Sequence, residues 1–144
     1  MPRFRLVPEV YLFLIENSHI LLSRRYQTGY EDGSYSVISG HVDGDEPASL
    51  AVIREANEEI GLTIAPNSLR LCHVLHRRSD RESVGFFFQC VDWRGNPYNR
   101  EPNKCDDLSW FPIRSLPKNT IPYIRQVITL SLNGQKYSEF GWHD

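Results

Sequence analysis

The chain has 144 residues, of which 40% are apolar and 12% aromatic, so its size and composition fit one globular domain and argue against a disordered chain. Its formal net charge of −2 argues against a dedicated nucleic-acid binder, although a local basic cluster would still hold a small anionic substrate. The three cysteines lack C-x-x-C spacing, which indicates reduced thiols and neither a disulfide framework nor a zinc site.

The first predicted elements are two strands around a polar turn. The apolar runs Val10 to Ile15 and Ile20 to Arg25 flank the turn residues 16–19. The first run is too short for a signal-peptide core, and no run approaches membrane-spanning length. We therefore expect a cytoplasmic protein with no membrane partner. Residues 27–40 contain three glycines and are predicted to be mostly loop, with a short strand from Tyr35 to Ile38.

The clearest predicted helix lies between Pro47 and Gly61. Proline suits a first helical turn and glycine suits a C-terminal stop, with Asp45 or Glu46 as the expected cap. An apolar stripe at helical spacing is predicted to face the core, interrupted by Asn57; its members are Leu50, Ile53, Ala56 and Ile60.

Further elements follow the helix. Residues 69–78 and 83–93 read as two long strands, and residues 108–113 as a short one. Thr120 to Leu132 is predicted to be a closing helix that ends at Asn133-Gly134. The sequence shows no internal repeat and no linker that would split it, so we expect one domain over residues 1–144. Strands and helices in this order predict a mixed α/β or α+β sandwich.

Three glutamates crowd one face of the first helix. Glu55, Glu58 and Glu59 stand at i, i+3 and i+4, on the side away from Ile53 and Ile60. Adjacent carboxylates repel and raise one another's pKa unless a cation neutralises them. Mg²⁺ prefers such oxygen ligands. The alternative is that glutamates are good helix formers and this is a solvated surface.

The spacing upstream of these glutamates favours the metal hypothesis. Gly40, Glu46 and the run Arg54 to Leu62 match every fixed position of the pattern G-x5-E-x7-R-E-U-x-E-E-x-G-U, where U is aliphatic, with Ala56 and Leu62 at the U positions. The chain thus resembles the Nudix hydrolase family of MutT-like proteins. The resemblance implies an α/β/α sandwich with a mixed central sheet. One departure shows just before this pattern, which is called the Nudix box: Ile38 to Gly40 stands where many members have Pro-Gly-Gly.

By resemblance, the chain is a hydrolase that uses Mg²⁺ or Mn²⁺ to cleave a nucleoside diphosphate linked to another group by attack of water on phosphorus. The implied metal ligands are Glu55, Glu58, Glu59 and the carbonyl of Gly40. Either Glu55 or Glu58 is the general base, and Arg54 orients a carboxylate of the box. Glu46 is expected to support the junction of loop and helix.

Family members often add a carboxylate from outside the box. Glu101, in a loop, is the favoured candidate for a further metal ligand, and Asp106 and Asp107 are the alternatives. For each of them an ordinary surface charge is the competing interpretation.

Substrate-binding candidates lie outside the helix. Arg24 and Arg25, at a strand end, suit bidentate phosphate contacts. His41 follows Gly40 and is placed to line the phosphate region, and Tyr35 is an aromatic candidate for stacking on a base. Each has a structural alternative: a solvated charge, a loop residue or a core aromatic.

The preferred substrate is a nucleoside triphosphate, with a modified or an ordinary base, which would be cleaved to a monophosphate and pyrophosphate. ADP-ribose or a nucleotide sugar is the runner-up. A nucleotide-sensing module that does not cleave is the competing class, and a generic α/β protein with solvent-facing glutamates is a third. The expected partner is a small nucleotide and no nucleic acid, and a homodimer is left open.

Overall fold

The computed structural model describes residues 2–142. Two helices and eight strands make up the fold, together with a short 3₁₀ turn at Pro66–Ser68. In chain order they are β1 (Val7–Glu16), β2 (His19–Arg25), β3 (Tyr35–Ser36), β4 (Ile38–His41), α1 (Ala48–Ile60), β5 (Leu69–Arg78), β6 (Glu82–Cys90), β7 (Cys105–Pro112), α2 (Pro122–Leu132) and β8 (Tyr137–Phe140). Neither helix has the length and apolar character needed to cross a membrane, within residues 2–142.

The sheet is mixed, and β1 is its central strand. β1 pairs in parallel with β6 and antiparallel with β4, while its last two residues pair with β2. β5 joins β6 antiparallel and carries β8 in parallel at its other edge. β2 extends the sheet through β3 and β7. Pairing with β4 sets Gly40 directly opposite Val10, so the two residues after Ile38 lie against the centre of the sheet.

Two separate cores fill the two faces of the sheet, because successive residues of a strand point to opposite sides. Val10, Leu12 and Leu14 pack under α1, whereas Tyr11 and Phe13 pack under α2. Helices cover both faces, so the predicted α/β/α sandwich with a mixed central sheet is confirmed.

The buried side of α1 differs from the predicted stripe. Leu50 is 47% exposed, so its assignment to the core was wrong, whereas Ala51 and Val52 are buried. The buried stripe therefore rotates toward the carboxylates, and Glu59 follows Val52 by about two helical turns, which places both on the inward side of α1. The expected side-chain cap was also wrong: the N-cap residue is Pro47, which has no side-chain cap hydrogen bond.

The strand β8 after the second helix was missed by the sequence analysis. The buried His73 fixes its position, because the two ring nitrogens lie 2.8 Å from the Gln135 carbonyl oxygen and 2.8 Å from Ser138 Oγ. The strand has only four residues, Tyr-Ser-Glu-Phe, and none of them is fully buried, so its sequence gives no clear periodic signal, which explains the omission.

Candidate active site

Four carboxylates line one cavity of about 250 Å³, here called the acidic cavity. Glu55, Glu58 and Glu59 come from α1, and Glu101 comes from the loop between β6 and β7. Ser39 of β4 forms part of the wall. The three helical carboxylates thus face one space between helix and sheet, although among residues 2–142 no group of three or more Asp, Glu, His or Cys is close enough to form a preassembled metal site.

Glu59 is the innermost of these carboxylates. Its Oε2 is buried and has no hydrogen-bond partner among residues 2–142. Burial raises the pKa of Glu59 well above its usual range, and the neighbouring Glu55 and Glu101 raise it further. An isolated carboxylate would not be stable there, so this group needs either a proton or a bound cation.

Gly40 lets β4 approach the first of the glutamates. A Cβ at this position would lie 2.3 Å from Glu55 Cδ and 2.5 Å from Glu55 Oε1, which is closer than real side chains come. Only a residue without a side chain therefore leaves Glu55 where it is. The close approach brings the main chain of Gly40 beside a carboxylate of the acidic cavity.

Arg54 holds the helix and the preceding loop together. It donates hydrogen bonds to Glu46 Oε1 at 2.7 Å, to Glu55 Oε1 at 2.8 Å and to the His41 carbonyl at 3.1 Å. The bond from Arg54 lowers the pKa of Glu46, and the Glu46 and Glu55 carboxylates raise that of Arg54, although burial opposes this. Glu58 Oε2 lies farther off, at 3.5 Å. The arrangement orients Glu55 and leaves Glu58 the more accessible carboxylate, with half of its side chain exposed.

The loop that carries Glu101 is tied to the end of α1. Tyr98 N–H donates to the Ile60 carbonyl at 3.0 Å, and Arg100 N–H donates to the Glu59 carbonyl at 3.0 Å. Gly61 ends the helix in the left-handed region, at φ 72°, under the Tyr98 ring. Helix ends leave carbonyl groups without partners, and this loop satisfies two of them. The sequence analysis missed this role, since these contacts join residues with no common pattern.

The alternatives to Glu101 are engaged elsewhere. Asp106 accepts a hydrogen bond from Arg24 Nε at 2.7 Å, and Asp107 accepts one from the hydroxyl of Tyr35. Tyr35 is buried, and burial followed by its bond to Asp107 raises its pKa to about 12. Arg24 and Tyr35 therefore lie outside both cavities described here, away from the position that the sequence analysis predicted for them.

A second cavity, here called the basic cleft, lies on the other side of β4 and has a volume of about 430 Å³. Arg25 and Ser39 line both cavities, and His41 lines the cleft, so two of the four predicted substrate-binding residues are brought to these cavities. The cleft is also lined by Glu9, Tyr11, Tyr30, Arg77, Arg81 and Tyr123. These residues come from three elements, a loop and a turn, so no local pattern in the sequence brings them together.

The acidic cavity can hold a hard divalent cation. Its donors are carboxylate oxygens, which Mg²⁺ and Mn²⁺ prefer, and one buried oxygen has no partner in the described chain. The residues of the predicted metal site fit the group that the resemblance implies. Next to it, the basic cleft offers guanidinium groups, which suit an anionic or acceptor-rich ligand.

Comparison with known proteins agrees with this geometry. The model of the NUDIX domain family matches residues 5–130. The NAD-capped RNA hydrolase NudC of Stutzerimonas stutzeri is 27% identical over 119 residues, which cover 78% of this chain and 39% of that protein. The 8-oxo-dGTP diphosphatase of Escherichia coli is 29% identical over 87 residues, which cover 60% of this chain and 66% of that protein. The chain thus spans about two fifths of the length of the NudC relative.

A solved structure has the same fold. The MutT NUDIX hydrolase from Burkholderia pseudomallei superposes with a TM-score of 0.80 at 24% identity, covering 88% of this chain and 98% of that one. The likeness in fold therefore extends over most of the sandwich.

Proposed function

Because the chain belongs to the Nudix hydrolase family, whose domain model matches residues 5–130, we propose that it is a metal-dependent pyrophosphohydrolase of nucleoside diphosphates linked to a further group. The observation that carries the proposal is the convergence of Glu55, Glu58, Glu59 and Glu101 on one cavity, with a buried Glu59 oxygen that has no partner within residues 2–142.

The residues that would hold a divalent cation are the helical glutamates and the Gly40 main-chain carbonyl, with Glu101 completing the set from its loop. Such a cation, when bound, neutralises the negative charge of a diphosphate and so favours attack on phosphorus. Arg54 keeps Glu55 in place through a bond of 2.8 Å, and the adjoining loop keeps Glu101 at the end of α1.

Glu58 is our choice for the general base. Glu55 is fixed by Arg54 against Gly40, and burial favours the protonated form of Glu59. Glu58 has half of its side chain exposed and only a long contact of 3.5 Å to Arg54. Its carboxylate takes the proton of the attacking water, while the bond between phosphorus and the bridging oxygen breaks.

The substrate we favour is a nucleoside triphosphate, with the diphosphate over the acidic cavity and the nucleoside in the basic cleft. The shared walls at Ser39 and Arg25 support this division, since they connect the two cavities. The similarity to an 8-oxo-dGTP diphosphatase is a second support. ADP-ribose or a nucleotide sugar is the alternative, because the cleft is roomy enough for a second sugar.

Product release is the test. Purified protein with Mg²⁺ is given nucleoside triphosphates, ADP-ribose and a nucleotide sugar, and the products are identified. We expect monophosphate and pyrophosphate from at least one triphosphate, and loss of kcat by about 100-fold or more in Glu58→Gln. Glu16→Gln, an exposed site at the β1 turn, is the matched control. If no compound is cleaved while nucleotides raise Tm, the protein is a sensor and the proposal fails.

A further inference from the structure

The floor of the basic cleft is a buried ionic network that the proposed chemistry does not use. Glu9 is 5% exposed and Arg77 is 7% exposed. Tyr11 donates its hydroxyl to Glu9 Oε1 at 2.8 Å, and Arg81 Nη2 donates to Glu9 Oε2 at 3.0 Å. Charged side chains are seldom buried so deeply without a specific reason, since removing them from water is unfavourable.

Arg77 is incompletely satisfied in this network. Its Nη2 lies 3.5 Å from each oxygen of Glu9, at the outer limit of a hydrogen bond. Its Nε is buried and has no partner in the described part of the chain, residues 2–142. A guanidinium carries five N–H donors, so the buried end of the cleft has donors in excess of acceptors. A ligand that brings acceptors would complete the network.

The position of Arg77 is fixed from two sides. Its guanidinium carbon lies 4.1 Å from the centroid of the Tyr123 ring, which is a close cation–π contact. Glu9 faces it from β1, and its oxygens also hold Tyr11 and Arg81. A donor group held this rigidly discriminates between ligands, because a poorly matched ligand leaves it unpaired.

The ligand that fits is a neutral acceptor at the end of an aromatic cleft. Glu9 already offsets part of the charge of Arg77, so the floor is less suited to a phosphate than a free guanidinium would be. The aromatic residues Tyr11, Tyr30 and Tyr123 line the same cleft, and Tyr30 is 46% exposed. A nucleobase has a flat ring with polar edge groups, and arginine donors recognise carbonyl and ring-nitrogen acceptors on such an edge.

We propose that Arg77, positioned by Glu9 and Tyr123, is a specificity-determining residue that selects substrates whose base carries an exocyclic carbonyl at the buried edge over those that carry an amine there. This inference rests on the proposed function, since it places the nucleoside of the same substrate in the basic cleft. An exocyclic amine would bring donors toward unpaired donors, which leaves Arg77 without an acceptor.

The test compares nucleotides that differ at this edge. Inosine triphosphate and ATP carry a carbonyl or an amine at the same ring position, as do UTP and CTP. We expect kcat/KM to favour the carbonyl member of at least one pair by about tenfold or more, as a good arginine contact to a base edge provides. Equal values within both pairs, or a preference for the amine members, overturn the inference.

Variants separate base recognition from a simple charge effect. Arg77→Lys keeps the charge and loses the planar fork, so it is expected to bring the ratio toward one. Arg78→Lys is the matched control: Arg78 is the next residue, is exposed, and lies 5.8 Å from the Trp142 ring centroid outside the cleft. If Arg77→Lys slows both members of a pair equally, Arg77 contacts phosphate and the inference is wrong.

Binding measurements keep this test apart from that of the proposed function. Dissociation constants of inosine triphosphate and ATP are measured by calorimetry on Glu58→Gln, which we expect to turn over slowly. Tighter binding of inosine triphosphate supports the inference even when no hydrolysis is found. Equal or absent binding refutes it while hydrolysis by the wild type leaves the proposed function in place. The wild-type pairs need no substitution, so misfolding of a variant does not affect them.

Discussion

The acidic cavity and the basic cleft share β4 as a wall, but they are built in different ways. The acidic cavity takes three of its four carboxylates from α1, whereas the basic cleft collects its groups from β1, β5, α2 and the turn after β5. Each has one buried polar atom without a partner among residues 2–142, Glu59 Oε2 in the first and Arg77 Nε in the second.

The difference teaches what each region needs from a ligand. A buried carboxylate oxygen calls for a cation or a proton, and a buried guanidinium nitrogen calls for an acceptor. One ligand that carries a polyphosphate with its counter-ion at one end and a carbonyl-bearing ring at the other would satisfy both. Changes confined to the acidic cavity are therefore expected to alter the rate of hydrolysis and to spare base recognition, and changes confined to the basic cleft are expected to do the reverse.

The largest effect is expected at the shared wall. Gly40→Ala should lower kcat by about 100-fold, because a displacement of about 1 Å in a catalytic group has effects of that size. The new Cβ would lie 2.3 Å from Glu55 Cδ and push the carboxylate away. Steady-state kinetics measures the loss, and base preference is expected to stay unchanged.

Gly44→Ala is the control for this change. A Cβ at Gly44 meets no atom within 4 Å, so its kcat should equal that of the wild type. Full activity in Gly40→Ala would show that hydrolysis does not depend on the position of Glu55 or on the close approach of Gly40 to it.

The next effect is on stability, in the basic cleft. Glu9→Gln should lower the free energy of unfolding by about 3 kcal/mol, because breaking a buried ion pair leaves an uncompensated charge on Arg77. Urea denaturation measures it, with the exposed Glu16→Gln as control. Stability equal to that of the wild type would mean that Glu9 and Arg77 do not depend on each other.

A smaller effect is expected at the end of α1, where a substitution tests the loop that carries Glu101 into the acidic cavity. Gly61→Ala forces alanine to φ 72° and brings its Cβ within 2.3 Å of the Tyr98 ring. The left-handed conformation alone costs roughly 1–2 kcal/mol. Gly134→Ala shares that cost at φ 79° but meets no atom within 4 Å.

The difference between these two variants isolates the contact with Tyr98. We expect Gly61→Ala to be the less stable in thermal denaturation and to lose activity several-fold, since the loop that carries Glu101 must move. Equal stability and activity of the two variants would show that Tyr98 does not position this loop.

The smallest effect is expected at Glu59, where a substitution should stabilise the metal-free protein instead of destabilising it. In the absence of divalent ions, Glu59→Gln should raise Tm by about 2–4 °C, the size that about 1 kcal/mol produces in a domain of this length. The amide removes the cost of burying a carboxylate beside Glu55 and Glu101. Scanning calorimetry with and without Mn²⁺ measures this, and we expect the ion to stabilise the wild type more than the variant. A metal-free Tm that is lower in Glu59→Gln than in the wild type would show that burying the Glu59 carboxylate does not destabilise the protein.

The sequence was a good guide to the acidic cavity because its spacing is local. Residues at i, i+3 and i+4 of a helix share a face wherever the helix lies, so the clustering of Glu55, Glu58 and Glu59 could be predicted without tertiary information. The inward rotation of that face could not, because packing against β1 decides it. Leu50 is exposed and Val52 is buried for this reason.

The sequence analysis predicted two residues that line the basic cleft, Arg25 and His41, but it could not predict how the cleft is assembled, because the other contacts are not local. Glu9 and Arg77 are far apart in the chain and meet only because β1, β6 and β5 are neighbours in the sheet. Arg24 and Arg25 looked equivalent in sequence. Alternation along β2, with a register shift between them, sends Arg24 to Asp106 and Arg25 to the two cavities. Strand register, which the sequence leaves open, decides which arginine reaches a ligand.

The central position of β1 also bears on how the chain is made. β4 covers one edge of this strand soon after it leaves the ribosome, but the parallel partner at its other edge, β6, ends only at Cys90. One edge of this apolar strand therefore stays unpaired until the chain has been synthesised through Cys90. A cell that produces this protein in quantity is expected to need chaperones at that stage, before either cavity exists.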